Sequence, residues 1–207
     1  MKNLYNNLAN LLYEYGCFGK INRAGFDLAQ IPDGQSLADH TIRTALLAFI
    51  LAELEGADPY KTAMMALVHD LGEIRIGDQH KVSARYIDMS KAEREAFFDQ
   101  TANLPEKTKK IWRQLFNEKE ERTSLEGIVA QDADWLENAI TAREFLLKGH
   151  PSMQTWINNV KKALETESAK KLLAEVESTQ LNWWQNLKKM TYKKLPKGKI
   201  KKLRSKY

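Results

Sequence analysis

A single cysteine, Cys17, stands in 207 residues, so an intramolecular disulfide is excluded and the composition suits a reducing cytoplasm. Cys17 itself reads as a small, half-buried apolar residue. Long hydrophobic runs are missing too. The longest, Ala45 to Ala52, falls far short of the roughly 20 residues that a bilayer-spanning helix needs. Met1-Lys2-Asn3-Leu4 lacks the pattern of a secretion signal. No internal repeat and no persuasive strand alternation occurs, which leaves an all-α fold. Acid is absent from Lys188 to Tyr207, a stretch with ten Lys/Arg, whereas the preceding 187 residues hold 22 basic and 27 acidic groups. The net charge of +5 therefore hides a mildly acidic body and a strongly basic tail. Such a tail is a disordered, solubilising end or a sequence-blind nucleic-acid contact, and the first is favoured.

What is present is helical periodicity. Leu4, Leu8, Leu11, Leu12 and Tyr15 keep one face until Gly16. Residues 17–35 lack a period and read as a loop. Ser36 with Asp39 forms a capping box for a helix to about Glu55, with Leu37, Ile42, Ala45, Leu46, Phe49 and Ile50 as its core face. Asp58-Pro59 caps a helix from Tyr60 to about Leu71, followed by loop and short turn to Asp88. Ser90 with Glu93 starts a helix over Lys91 to Leu104, and Pro105 starts another to about Lys119. Thr123 with Glu126 caps a long helix through Lys148, ended by Gly149, and two more follow over Pro151 to Leu164 and Ser168 to about Met190. The division expected is a catalytic domain over 1–165, a C-terminal helix over 166–190 packed on that domain or on a partner chain, and the tail over 191–207. Trp183 and Trp184 suit either a homodimer contact or intramolecular docking.

The chemistry concentrates in Val68-His69-Asp70-Leu71-Gly72-Glu73, with Gly77-Asp78 just beyond. If the helix continues, His69, Asp70 and Glu73 crowd one end of one face, a costly arrangement beside an apolar run unless a cation pairs with them. The alternative is a solvated helix end with His69 capping its own carbonyls. His40, in the first turn of its helix, and an acid from Asp132-Ala133-Asp134 would complete two imidazoles and two carboxylates drawn from three helices. Asp132 and Asp134 lie two residues apart on roughly opposite faces, so only one enters the site. Two nitrogen and two oxygen donors suit a borderline or hard divalent cation.

Through Ser36-Leu37-Ala38-Asp39-His40, Leu67-Val68-His69-Asp70-Leu71-Gly72-Glu73-Ile74-Arg75-Ile76-Gly77-Asp78 and Ala133-Asp134-Trp135-Leu136-Glu137, the chain resembles the HD-domain metal-dependent phosphohydrolases over roughly residues 8–148. Within them it is most similar to the branch of bacterial 5′-deoxynucleotidases and oxetanocin-type proteins. The resemblance implies an HD-domain helical bundle with additional C-terminal helices, and one divalent metal ion (Mn²⁺, Co²⁺, Zn²⁺, Fe²⁺ or Mg²⁺) on His40, His69, Asp70 and Asp134. It further implies Glu73 as general acid/base, Asp78 positioning water or substrate, and Arg23, Phe26 and Arg85 near the substrate. Arg94-Glu95 resembles an Arg-Glu pair of the family. Two departures are Phe26 where Trp is common and Gln35 where an acid is frequent. The activity implied is hydrolysis of nucleoside 5′-monophosphates, deoxynucleotides above all. The alternatives are hydrolysis of diesters, polyphosphates or alarmones, or nucleotide or nucleic-acid binding by a vestigial site.

Overall fold

The computed structural model describes residues 2–185, 187–188 and 193–199. Its helices are α1 (Lys2–Tyr15), α2 (Ala24–Leu28), α3 (Leu37–Glu55), α4 (Pro59–Val68), α5 (Glu73–Ile76), α6 (Met89–Gln100), α7 (Glu106–Glu121), α8 (Leu125–Leu147), α9 (Met153–Ala163) and α10 (Glu167–Ser178). No strand occurs among the described residues; an isolated bridge joins Asn22 to Ser36. None of the described helices is long and apolar enough to cross a membrane. The basic tail lies largely outside the described residues.

Capping decides where the helices begin. Ser36 accepts from the Asp39 N–H at 3.2 Å, and Asp58 accepts from Tyr60 and Lys61 at 3.0 and 3.1 Å, as the sequence predicts. Two expected caps shift. Asp88, not Ser90, caps α6 by accepting from Lys91, and Ser124, not Thr123, caps α8 by accepting from Gly127. The expected helix to Leu71 stops at Val68, leaving His69 and Asp70 in the turn that leads to α5. The last expected helix, to Met190, ends at Ser178, and residues 189–190 lie outside the described set. Part of the loop over 17–35 is helical, in the turn Phe18–Lys20 and in α2.

Helix α8 is central and packs against α3, α4, α7, α9 and α10. Five of its eleven buried positions are Gly or Ala: Gly127, Ala130, Ala133, Ala139 and Ala142. On α3 the matching set is Thr41, Thr44, Ala45, Ala48 and Ala52. Small residues at a helix contact shorten the interaxial distance, which brings the polar groups carried by α3 and α8 within reach of each other. The same choice overturns part of the expected core face of α3, of which Leu37 and Ala45 are buried. Ile42, Leu46 and Ile50 are 60, 63 and 54% exposed, because the buried side is built from the small residues and Leu37, Leu47 and Leu51.

Two apolar clusters flank the polar centre. One joins α3, α8, α9 and α10 around Leu51, Leu136, Met153, Ile157 and Leu173; the other joins α4, α6, α7 and α8 around Met65, Val68, Phe97, Leu115 and Phe116. Two glycines let the second close. A Cβ on Gly72 would stand 2.5 Å from the Glu93 carbonyl oxygen, and one on Gly127 would stand 2.4 Å from that of Glu118. Gly72 thus seats the His69-Asp70 turn against α6.

Asp132, one of the two candidate ligands, is used for folding. Buried at 1% exposure, it accepts from the Thr166 N–H at 2.6 Å, the Thr166 hydroxyl at 2.6 Å and the Glu165 N–H at 3.1 Å, fastening the start of α10 to α8. Asp132→Ala leaves the Thr166 N–H without a partner, at a cost of about 2 kcal/mol. We expect urea unfolding to show that loss while metal content stays at the parent level; a metal-free Asp132→Ala protein would contradict it.

Candidate metal centre

Three helices supply the centre. His40 comes from the first turn of α3, His69 and Asp70 from the turn ending α4, and Asp134 from the middle of α8. One ligand atom from each of His40, His69 and Asp134 falls within a common 4.8 Å. Asp70 touches both rings: its Oδ1 is 3.0 Å from His69 Nε2 and its Oδ2 is 3.5 Å from His40 Nε2. Asp134 Oδ1 stands 3.2 Å from His40 Nε2 and 3.8 Å from His69 Nε2. All four residues that the sequence assigns to a metal therefore meet, and Asp134 rather than Asp132 faces the rings.

The rings are oriented for a cation. His69 Nδ1 donates to the Ala66 carbonyl at 2.7 Å, and His40 Nδ1 is bonded to Glu137 Oε2. With Nδ1 the donor, each neutral ring presents a lone pair at Nε2. Both Nε2 atoms are buried without a hydrogen-bond partner, and they face carboxylate oxygens that are acceptors themselves. Lone pairs opposed in a buried site are stable only around a positive charge, a divalent ion or a proton. The donor set fits a divalent ion and leaves positions open for water and a phosphoryl oxygen.

Without the ion, a proton fills that role. Burial disfavours charge on His69, but the Asp70 carboxylate outweighs it and raises the ring to about 10. Asp70 and Asp134 are held below the ordinary carboxylate range: burial opposes their charge, and His69 and Lys119 respectively outweigh it.

Residues outside the sequence-based set complete the centre. Glu137, fully buried, orients His40 while accepting from Gln35 at 2.6 Å, Arg43 at 2.8 Å and Thr141 at 2.9 Å. Burial works against its charge, yet His40 and Arg43 bring it down to about 2. It stands three residues beyond Asp134, in the same Asp-Trp-Leu-Glu run, and that i, i+3 spacing was the available signal. Gln35, the departure from the family's acid, is one of its donors. Lys119, buried on α7, contacts Asp134 Oδ2 at 3.4 Å.

Arg23 sits over the cluster, its guanidinium 3.3 Å from Asp70, 3.5 Å from Asp78 and 3.1 Å from Asn138 Oδ1. The strand-like bonds Arg23 N–H to Gln35 O and Leu37 N–H to Ile21 O, both 2.9 Å, pin its loop to the start of α3. Asp78 accepts from the Ala24 N–H at 2.5 Å as well as facing Arg23, so it tethers this loop. Glu73 is largely buried with Oε2 unpartnered, and burial, then Asp70 and Asp78, push its carboxyl well above the usual range. Glu93, facing the turn from α6, is raised to about 8 by burial and Asp70.

One other expectation changes. Phe26 is 1% exposed, stacked on Trp156 at 5.1 Å and tilted against Phe145 at 5.3 Å; its ring belongs to the core beneath the Arg23 loop and not to a substrate surface. Arg85 is exposed on the turn Ser83–Arg85 and makes no ion pair among the described residues. Arg94 bonds to Asn117 and pairs with Glu121 on α7, an ion pair between packed helices, whereas Glu95 pairs with Lys91 along α6.

Comparison with known proteins agrees with this geometry. The model of the HD domain family matches residues 19–177. The 5′-deoxynucleotidase HDDC2 of Bos taurus is 27% identical over 140 residues, 67% of this chain and 68% of the bovine one. A conserved hypothetical protein of Pyrococcus furiosus is 28% identical with a TM-score of 0.70, covering 83% of this chain and 99% of its own. The predicted metal-dependent phosphohydrolase of Magnetospirillum magnetotacticum, 20% identical, shares the fold with a TM-score of 0.65 over 84% of this chain and 91% of its own. With an HD domain model spanning most of its length and the His40, His69-Asp70, Asp134 constellation assembled, the chain belongs to the HD domain family and is an HD-domain phosphohydrolase.

Proposed function

We propose that this protein removes the phosphate from nucleoside 5′-monophosphates, with 2′-deoxynucleotides preferred. The observation that carries the reading is the pair of buried, unpartnered Nε2 atoms turned toward Asp70 and Asp134, with a guanidinium directly beside them. The 5′-deoxynucleotide preference rests on the similarity to the HDDC2 proteins.

His40, His69, Asp70 and Asp134 would hold the divalent ion. When bound, it lowers the pKa of coordinated water and polarises the phosphoryl group. Arg23, already aimed across the site by Asp78 and Asn138, offers parallel N–H donors to the phosphate oxygens. Glu73, whose carboxyl is pushed well above the usual range by burial and then by Asp70 and Asp78, gives a proton to the departing 5′-oxygen as the P–O bond breaks and water oxygen bonds to phosphorus. Asp78 acts through Arg23, since both its oxygens are engaged by the Arg23–Ala24 loop. Glu137 keeps His40 in the tautomer that presents Nε2.

The test is phosphate release from a panel of ribo- and deoxynucleoside 5′-monophosphates. Metal-stripped protein is resupplied with Mn²⁺, Co²⁺, Zn²⁺ or Mg²⁺, with the double variant His69→Ala/Asp70→Ala as control. Metal-restored release absent from the control supports the reading. Bound metal without release, but with turnover of diesters or polyphosphates, replaces the substrate class. Glu73→Gln should keep its metal and lose about 10²–10⁴-fold in kcat; full metal with near-normal turnover would remove Glu73 from the chemistry.

A further inference from the structure

We propose that Lys119 is a positioning residue of the metal centre, holding the outer oxygen of Asp134 so that this carboxylate offers the ion a single oxygen. The inference rests on the metal-centre part of the proposed function and not on the identity of the phosphoester.

The two oxygens of Asp134 face different ways. Oδ1 lies 3.2 Å from His40 Nε2 and 3.8 Å from His69 Nε2, on the side where the ligands converge. Oδ2 is turned away from them and takes the Gln131 side-chain amide at 3.0 Å and the Lys119 ammonium at 3.4 Å. The Asp134 backbone carbonyl is in turn bonded by Asn138 at 3.1 Å. Lys119 comes from α7, a helix that supplies none of the four ligands, and it is 5% exposed, so its charge is kept out of water by the α7–α8 contact. Its other close acceptor is Glu120 at 3.4 Å.

A carboxylate with both oxygens free can grip a cation through one or both. Two donors on Oδ2, one of them charged, reduce its electron density and fix the plane of the carboxylate, which leaves Oδ1 as the ligand. A coordination position then stays open for water or a phosphoryl oxygen, as a catalytic site requires. The same ammonium repels the ion. Lys119 therefore weakens metal affinity while keeping the site reactive, the opposite of what a lysine serving only to neutralise Asp134 for folding would do.

That difference in sign is the test. Metal-stripped full-length protein is titrated with Co²⁺, reading the dissociation constant by competition with a chelator and the coordination number from visible absorption; kcat and KM are measured separately. Lys119→Met should bind Co²⁺ at least about tenfold more tightly, because a buried like charge has gone. Its visible absorption should weaken as Asp134 swings to two-oxygen ligation, and kcat should fall with KM little changed. Lys119→Gln keeps a donor without the charge: tighter Co²⁺ with the parent spectrum. It also serves if the methionine variant does not fold. Lys119 variants that bind Co²⁺ no more tightly than the parent overturn the inference, as does a parent-like spectrum in Lys119→Met. A parent protein that takes up no Co²⁺ overturns the metal centre itself and the clamp with it. Co²⁺ uptake without nucleotide hydrolysis touches only the substrate reading.

Discussion

His69→Ala should abolish stable metal binding and lower phosphate release on the order of 10³-fold, because a bound ion supplies several kcal/mol of transition-state stabilisation and each 1.36 kcal/mol is tenfold in rate. The ring is 1% exposed and its Nε2 meets both carboxylate ligands, so its loss removes a buried nitrogen donor from the centre of the set. Removing it also leaves Asp70 and Asp134 facing each other with His40, Arg23 and Lys119 as the remaining compensation. The helix that delivers it ends at Val68, one residue earlier, so the loss should leave helicity intact, while the thermal midpoint falls because Asp70 and Asp134 lose a buried partner. Metal analysis after gel filtration, with circular dichroism on the same sample, checks both halves. One equivalent of retained metal in folded His69→Ala protein would show that the ion is held elsewhere. Asp132→Ala supplies the contrast, since that carboxylate is spent on α10 and its loss should leave the ion in place.

That contrast marks how much was legible in the sequence. The two aspartates share one helix and one composition, and spacing alone could say only that one of them enters the site. What separates them is tertiary: Asp132 meets the N–H groups that open α10, and Asp134 meets the rings delivered by α3 and α4. The all-α class and the starts of α3 and α4 were readable because capping chemistry is local, whereas His40, His69, Asp70 and Asp134 were singled out by their likeness to a family motif, and it is the fold that brings them side by side. The buried face of α3 was not readable. A periodicity argument weights large apolar side chains, so it chose Ile42, Leu46 and Ile50, whereas close helix contact selected Ala and Thr. Phe26 failed for a related reason: a loop aromatic beside an arginine reads as a substrate contact until Phe145 and Trp156 are seen to enclose it. Lys119 and Asn138 carry no local signal, for a lysine at a helix end and an asparagine in a helix are ordinary surface residues until folding buries one against Asp134 and the other beside Arg23. Glu137 shows the limit of motif reading from the other side: it sat inside the matched run and still went unassigned, because its role depends on reaching back to α3.

Metal binding should release about one proton near pH 7.5, and its apparent affinity should climb as pH rises toward 10. In the metal-free protein His69 is raised from 6.5 to about 10: burial opposes its charge, and the Asp70 carboxylate, with Asp134 beside it, outweighs burial. A group whose folded pKa is raised stabilises the folded state fully below its unfolded value and loses that contribution as pH rises through the folded value. The metal-free protein should therefore lose stability between about pH 6.5 and 10 as this proton departs. The ion needs the Nε2 lone pair and competes for it with that proton, so binding gains up to tenfold per pH unit over the same window. The two trends have opposite sign, and the metal-induced rise in thermal midpoint should widen steadily from pH 6.5 upward. Isothermal titration in two buffers of different ionisation enthalpy, at one pH, counts the proton directly. Heats that do not depend on the buffer, with an affinity flat from pH 7 to 9, would mean that His69 is already neutral before the ion arrives and that the opposed lone pairs are held apart by something other than charge.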